Sequence, residues 1–264
     1  MAKAFQTPAR KKLGFFPTPV TELHRLSEYL GGPRIYIKRD DHTGLAFGGN
    51  KTRKLEFLLS EALNYGCDCV VTGGAAQSNH CRLTAAAAAF CGLDCYLALG
   101  GEPIENPNGN LLLSHLFAAD FRWTGEFRKG EKIPEIVNQL SEKGRKPYLI
   151  PYGGSNTTGA LGYVEAVGEL KEQMEQTGTS FSHIVFASSS GGTQAGLLAG
   201  KIMFEQQFEI IGIAIDKEEN GEESFDQNVL DLSGKTAERL GLKNHPNRED
   251  VVIRKEYLGG GYGV

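Results

Sequence analysis

Lys51 directly follows Gly48-Gly49-Asn50, where a glycine-rich loop gives way to an amphipathic stretch. A lysine at a helix start opposes the positive end of the helix dipole, and cationic or dry surroundings depress the pKa of an amine. An amine so placed becomes a Schiff-base nucleophile, and Arg53 and Lys54 are its immediate neighbours. The same residues, Lys51-x-Arg53-Lys54, also read as a solvated basic face.

Four Gly- or polar-rich turns carry the remaining candidates: Phe47-Gly-Gly-Asn-Lys51-Thr-Arg-Lys54, Thr72-Gly-Gly-Ala-Ala-Gln-Ser78-Asn79-His80, Pro151-Tyr-Gly-Gly-Ser-Asn156 and Ala187-Ser-Ser-Ser-Gly-Gly-Thr193. In open α/β sheets such turns gather ligands outside the strand ends. The last follows an apolar strand and opens a helix, so its amides and hydroxyls converge where the dipole favours an anion. That is a phosphate seat, against the plainer reading of a Gly-Ser connection. A nucleotide is the competing source of phosphate, because Gly44-x-x-x-x-Gly49-Asn50-Lys51-Thr52 nearly spells a P-loop and Ile211-Gly-Ile-Ala-Ile-Asp216 looks like an apolar strand ending in Asp. Asn50 breaks that spacing, and no G-x-G-x-x-G appears.

The elements that must position these turns alternate. Hydrophobic periodicity predicts helices over 21–29, 51–65, 78–90, 108–118, 133–142, 160–175 and 193–205. It predicts strands over 34–38, 69–72, 95–99, 121–123, 148–150, 183–187, 210–215 and 251–253. Asn50 is the expected N-cap of the second helix and Gly66 its stop, and Leu23, Leu26 and Leu30 are expected on one face of the first. Strand-helix alternation argues for parallel sheets covered on both faces.

A chain of 264 residues holds one large or two modest domains. No Pro- or Ser-rich linker divides it, so a second domain must be inserted, with the loops at Gly48-Gly49 and Gly153-Gly154 as crossing points. We expect residues 1–53 and 153–264 to form the large domain and 54–152 the small one. With 28 Lys+Arg against 32 Asp+Glu, the basic excess that draws proteins to nucleic acid is missing, and a small-molecule enzyme leads. The 34 glycines, about 13% against a usual ~7%, imply close backbone approaches. Cys67, Cys69, Cys81, Cys91 and Cys95 lack paired CxxC spacing and suitably placed histidines, so reduced core thiols are expected and no metal. Without an apolar run of about 18 residues or an apolar signal core, no membrane partner and a cytoplasmic setting are expected.

Phe47-Gly-Gly-Asn-Lys-Thr-Arg-Lys-Leu-Glu56, Gln77-Ser-Asn-His80, Ile150-Pro-Tyr-Gly-Gly-Ser-Asn156 and Ser190-Gly-Gly-Thr193, in that order, resemble the pyridoxal-phosphate enzymes that include 1-aminocyclopropane-1-carboxylate deaminase and D-cysteine desulfhydrase. The resemblance runs from about Phe16 to Val264. It implies a tryptophan-synthase-β-like α/β fold (fold type II) of two open parallel-sheet domains, and a homodimer acting on a small amino acid.

Carried over by residue, the resemblance implies that Lys51 holds pyridoxal 5'-phosphate as a Schiff base, with Asn50 beside it, and then acts as base at Cα. Asn79 would meet the cofactor's 3′ oxygen, while Ser190, Gly191, Gly192 and Thr193 bind its phosphate and Lys54 faces it. Ser78 would meet the substrate carboxylate or assist proton transfer, with Gln77, Asn79 and His80 around the substrate and Tyr262 as an active-site tyrosine. The strings Gln77-Ser-Asn-His-Cys-Arg82, Asn108-Gly-Asn-Leu-Leu-Leu113 and Gly154-Ser-Asn-Thr-Thr-Gly-Ala-Leu-Gly-Tyr163 look closer to the desulfhydrases. They imply α,β-elimination of D-cysteine, with cyclopropane opening, L-cysteate sulfo-lysis or a degenerate cofactor-binding relative as alternatives. The resemblance also implies further chain beyond Val264, carrying a second tyrosine and the partner of the pyridine nitrogen.

Overall fold

The computed structural model describes residues 8–216 and 224–259, so Tyr262 lies outside the described residues. The chain opens with an antiparallel pair, β1 (Val20–Glu22) and β2 (Tyr36–Lys38), on either side of α1 (His24–Leu30). The first predicted helix therefore starts late. Thr21 pairs with Ile37 across the ribbon, and Arg34 grips Glu22 with two hydrogen bonds of 2.8 and 2.7 Å. α1 buries none of its residues, so its leucines form no core face.

Two parallel sheets follow. The first alternates with helices as α2 (Lys51–Asn64), β3 (Cys69–Ala75), α3 (Asn79–Cys91), β4 (Asp94–Gly100), α4 (Gly109–Leu116), β5 (Asp120–Trp123), α5 (Ile133–Glu142) and β6 (Pro147–Leu149), in strand order β5-β4-β3-β6. The second is built from α6 (Thr157–Thr177), β7 (His183–Ser188), α7 (Gly192–Met203), β8 (Glu209–Ala214), α8 (Phe225–Arg239) and β9 (Val252–Arg254), in order β7-β8-β9. Every pairing within these two sheets is parallel, as strand-helix alternation requires.

α8 is absent from the sequence expectations, and its inward face explains why. Val229, Ser233, Thr236 and Ala237 are its buried residues, so half of that face is polar and leaves no apolar stripe. The legible signal was the cap: Ser224 precedes Gln227 at capping-box spacing, and its side chain accepts the Gln227 amide at 3.3 Å.

Leu55, Leu58 and Leu59 are fully buried against β3 and β4, each worth about 1.5–3 kcal/mol. Phe57, on another side of α2, joins Leu161, Val164 and Ala199 and ties α2 to α6 and α7. A Cβ at Gly162 of α6 would stand 2.4 Å from the Arg53 carbonyl, so only glycine admits this close a crossing of α2 and α6.

An ionic network locks that crossing. Arg53 donates to Asp40 at 2.9 and 2.8 Å, to Glu169 of α6 at 3.0 Å twice, and to Thr18 at 2.9 Å. Its guanidinium also lies 4.6 Å from the Phe16 ring centroid. Lys38 pairs with the same Glu169 and donates to the Thr18 carbonyl at 2.7 Å. Arg53 and Lys54 are 4% and 1% exposed, which replaces the solvated basic face with two buried cations.

Burial alone would raise the Glu169 carboxyl, but Arg53 and Lys38 outweigh it and hold it below its ordinary 4.5. The stability this carboxylate contributes is therefore complete above about pH 4.5 and lost as pH falls through the depressed value. Glu169→Gln should flatten the acid limb of the stability profile. Arg53→Met, which leaves Asp40 without its cation and Glu169 with Lys38 alone, should cost about 3–5 kcal/mol in urea unfolding at pH 7.

Candidate active site

Three helix starts and one turn face a cavity of about 230 Å³. Lys51 comes from α2, Ser78, Asn79 and His80 from the start of α3, Ser190, Gly191 and Thr193 from the start of α7, and Tyr152 and Gly153 from the turn after β6. Each helix presents its positive dipole end, so the cavity is prepared for an anion. Two larger hollows, of about 370 and 460 Å³, lie nearby. The first is mainly apolar and sits between β2 and β7, whereas the second opens beside the site and shares Ser188, Ser189 and Ser190 with it. Of the three, the smallest is the one lined by Lys51.

Burial pulls the Lys51 amine down from 10.5 to about 8. Its Nζ donates to Asn50 Oδ1 at 3.4 Å. Asn50 occupies the N-cap position with helical angles and makes no side-chain cap, contrary to expectation. Instead its side chain faces the lysine and its carbonyl accepts the Tyr163 hydroxyl at 3.3 Å.

Lys54, one turn along α2, donates to the Gly153 carbonyl at 3.0 Å and to Ser155 Oγ at 3.3 Å. Among the described residues no carboxylate pairs with it. Burial, and then the charge of Lys51, push its amine well below the ordinary value. Ser155 also accepts the Gly192 amide at 3.1 Å and donates to Ser190 Oγ at 2.8 Å. Ser155 is not among the site residues expected from the sequence, where its place beside Gly153-Gly154 is the available signal. Gly191 turns at φ +78°, and a Cβ on Gly192 would meet Ser155 Oγ at 2.6 Å and Lys54 Nζ at 2.9 Å.

Ser78 caps α3 by accepting the Cys81 amide at 3.2 Å and still lines the cavity, so one hydroxyl serves the helix start and faces the site. Asn79 Oδ1 accepts from Arg82 Nη2 at 2.9 Å and from Asn110 Nδ2 at 3.1 Å. His80 Nε2 lies 2.9 Å from Thr72 Oγ1, while its buried Nδ1 has no partner. Burial, then the charges of Lys51 and Lys54, hold this imidazole well below its ordinary pKa. Gln77 is not brought to the cavity: its side chain bonds Asn108 and the Asn110 amide at the start of α4. The P-loop reading of Gly44–Thr52 fails on geometry, because the loop turns the carbonyls of Ala46 and Gly48 toward Arg82 where a phosphate cradle would gather amides.

These groups fit a phosphorylated carbonyl compound. A buried cation without a carboxylate stands behind a loop whose glycine leaves no room for a side chain, and an amine of lowered pKa stands opposite.

Comparison with known proteins agrees. The family model described as pyridoxal-phosphate dependent enzyme matches residues 11–264. The D-cysteine desulfhydrase of Yersinia enterocolitica is 42% identical over 94% of this chain and 74% of its own length. A Pyrococcus abyssi protein provisionally named 1-aminocyclopropane-1-carboxylate deaminase is 43% identical over 93% of this chain and 73% of its own. A crystal structure described as an ACC deaminase homologue superposes with a TM-score of 0.86 at 38% identity, covering 97% of this chain and 76% of that one. The chain belongs to the pyridoxal-phosphate-dependent enzymes, with their fold type II architecture and their cofactor.

The pKa of Lys51 sets a measurable threshold. Reductive alkylation of the cofactor-free protein by a small aldehyde, followed by peptide mapping, should show Lys51 modification rising through about pH 8, well below the range of an ordinary lysine at 10.5.

Proposed function

We propose that this member of the family performs α,β-elimination on D-cysteine, releasing pyruvate, sulfide and ammonia, with Lys51 as both anchoring amine and base. The observation that carries the reading is the placement of Lys51: among the described residues it is the lysine that lines the cavity, with an amine pKa of about 8. Bound pyridoxal phosphate supplies the electron sink for the charge left at Cα.

The chain supplies the rest. The amides at the start of α7 and the hydroxyls of Ser190 and Thr193 receive the phosphate, and Lys54 supplies its countercharge from behind. Asn79 addresses the ring oxygen. The start of α3, with Ser78, receives the substrate carboxylate, so that the Cα proton is directed at Lys51 Nζ, which takes it. His80 remains neutral and meets the substrate as a hydrogen-bonding group. Residues 1–53 and 153–264 form the cofactor-binding part and 54–152 the inserted part in this reading, which the positions of β3–β6 and β7–β9 support. Five unpaired thiols suit a reducing, cytoplasmic setting.

D-cysteine is favoured by the strings at 77–82 and 154–163 and by the Yersinia relative. The Pyrococcus relative and the crystal structure favour cyclopropane opening as the second reading. Product assays separate them. Sulfide from D-cysteine should exceed 2-oxobutanoate from the cyclopropane amino acid; the reverse order selects the deaminase, and sulfite from L-cysteate the sulfo-lyase. Lys51→Ala should abolish the visible absorbance gained with pyridoxal phosphate while the far-UV spectrum stays unchanged. Colour without turnover of any substrate would mark a degenerate relative.

A further inference from the structure

The geometry points to Arg82 as the residue that orients Asn79 and, through the same guanidinium, holds the loop that delivers Lys51. The inference rests on the reading of Asn79 as the ring-oxygen partner. Arg82 is 5% exposed and spends its donors on four acceptors. Nε reaches Asn110 Oδ1 at 3.0 Å, Nη2 reaches Asn79 Oδ1 at 2.9 Å, and Nη1 takes the carbonyls of Gly48 at 3.0 Å and of Ala46.

A guanidinium only donates, so the Asn79 atom facing it must be the oxygen. Asn110 Nδ2 donates to that same oxygen and removes the choice a second time. Gln77, whose backbone carbonyl accepts the other bond from Asn110 Nδ2 at 2.8 Å, pins Asn110 in turn. The amide of Asn79 is therefore fixed with Oδ1 turned away and Nδ2 left for the cavity that Asn79 lines. Asn79 thus offers the cavity a donor and no acceptor, which favours a ring oxygen bearing negative charge.

The other arm of Arg82 works on strained backbone. Ala46, Phe47, Gly48 and Gly49 have φ of +44°, +69°, +75° and +142°, a run that two non-glycine residues adopt only under restraint. This run ends at Gly49, one residue before Asn50 and two before Lys51. One side chain thus ties the start of α3 to the approach to α2.

The test uses the cofactor-loaded protein and reads the pH titration of its visible absorbance. A proton leaving the bound cofactor with rising pH leaves more charge on the ring oxygen, so losing a donor there raises the midpoint. Asn79→Ala should raise it by on the order of one pH unit. Arg82→Lys, which keeps the charge but cannot hold four acceptors, and Asn110→Ala, which spares the loop carbonyls, should each move it in the same direction. Adding Asn110→Ala to Asn79→Ala should move it no further. In the cofactor-free protein, Arg82→Lys should also slow the modification of Lys51 at pH 8, whereas Asn110→Ala should not. A shift in Asn79→Ala with none in Asn110→Ala or Arg82→Lys overturns this inference alone. No shift in Asn79→Ala overturns the Asn79 reading and the inference together. If Arg82→Lys fails to fold, Arg82→Gln read by the same titration decides the orienting role.

Discussion

Everything in the site hangs on the first turn of α2, and that turn is held by the pairing of Arg53 with Asp40 and Glu169. The guanidinium lies two residues from Lys51 and receives carboxylates from a segment before α2 and from α6. Lys51 is consequently fixed in direction as well as position, because the helix that carries it cannot roll without breaking ion pairs at the Gly162 crossing. A buried network of this kind is expensive unless complete, and Thr18, Lys38, Gln173 and Tyr163 complete it. The stability of this corner and the aim of the amine share one cause.

The electrostatics of the cavity follow from the same arrangement. Three helix starts, Lys51 and Lys54 bring positive potential to a space where, among the described residues lining it, no carboxylate answers. Burial lowers the pKa of both amines and of His80, and the charge of Lys51 adds to the effect at Lys54 and His80. A dianionic phosphate would relieve that imbalance.

Much of this was legible in the sequence because turn chemistry and helix starts are local. Lys51, Ser78 and the 190–193 loop were readable from Gly-rich turns flanked by periodic segments, and the structure brings them to one cavity. What escaped were long-range partnerships. The charges of Arg53 and Lys54 resemble a surface cluster until Asp40, Glu169, Gly153 and Ser155 arrive from distant segments. α8 escaped because its inward face carries Ser233 and Thr236, and the strand at Val20–Glu22 because its partner lies beyond α1. Gln77 shows the opposite case: adjacency to Ser78 suggested the cavity, but its amide bonds Asn108 and the Asn110 amide at the start of α4.

Counting protons at Ser155 reveals a polarity in the anion seat. The hydroxyl accepts from Lys54 and from the Gly192 amide, which occupies both lone pairs, and its single hydrogen goes to Ser190. The hydrogen of Ser190 therefore has to leave in another direction, and Ser190 lines both the cavity and the hollow beside it. The wire runs one way, from Lys54 through two hydroxyls toward open space, and it carries the donor character of an enclosed lysine to a surface whose lining does not include that lysine.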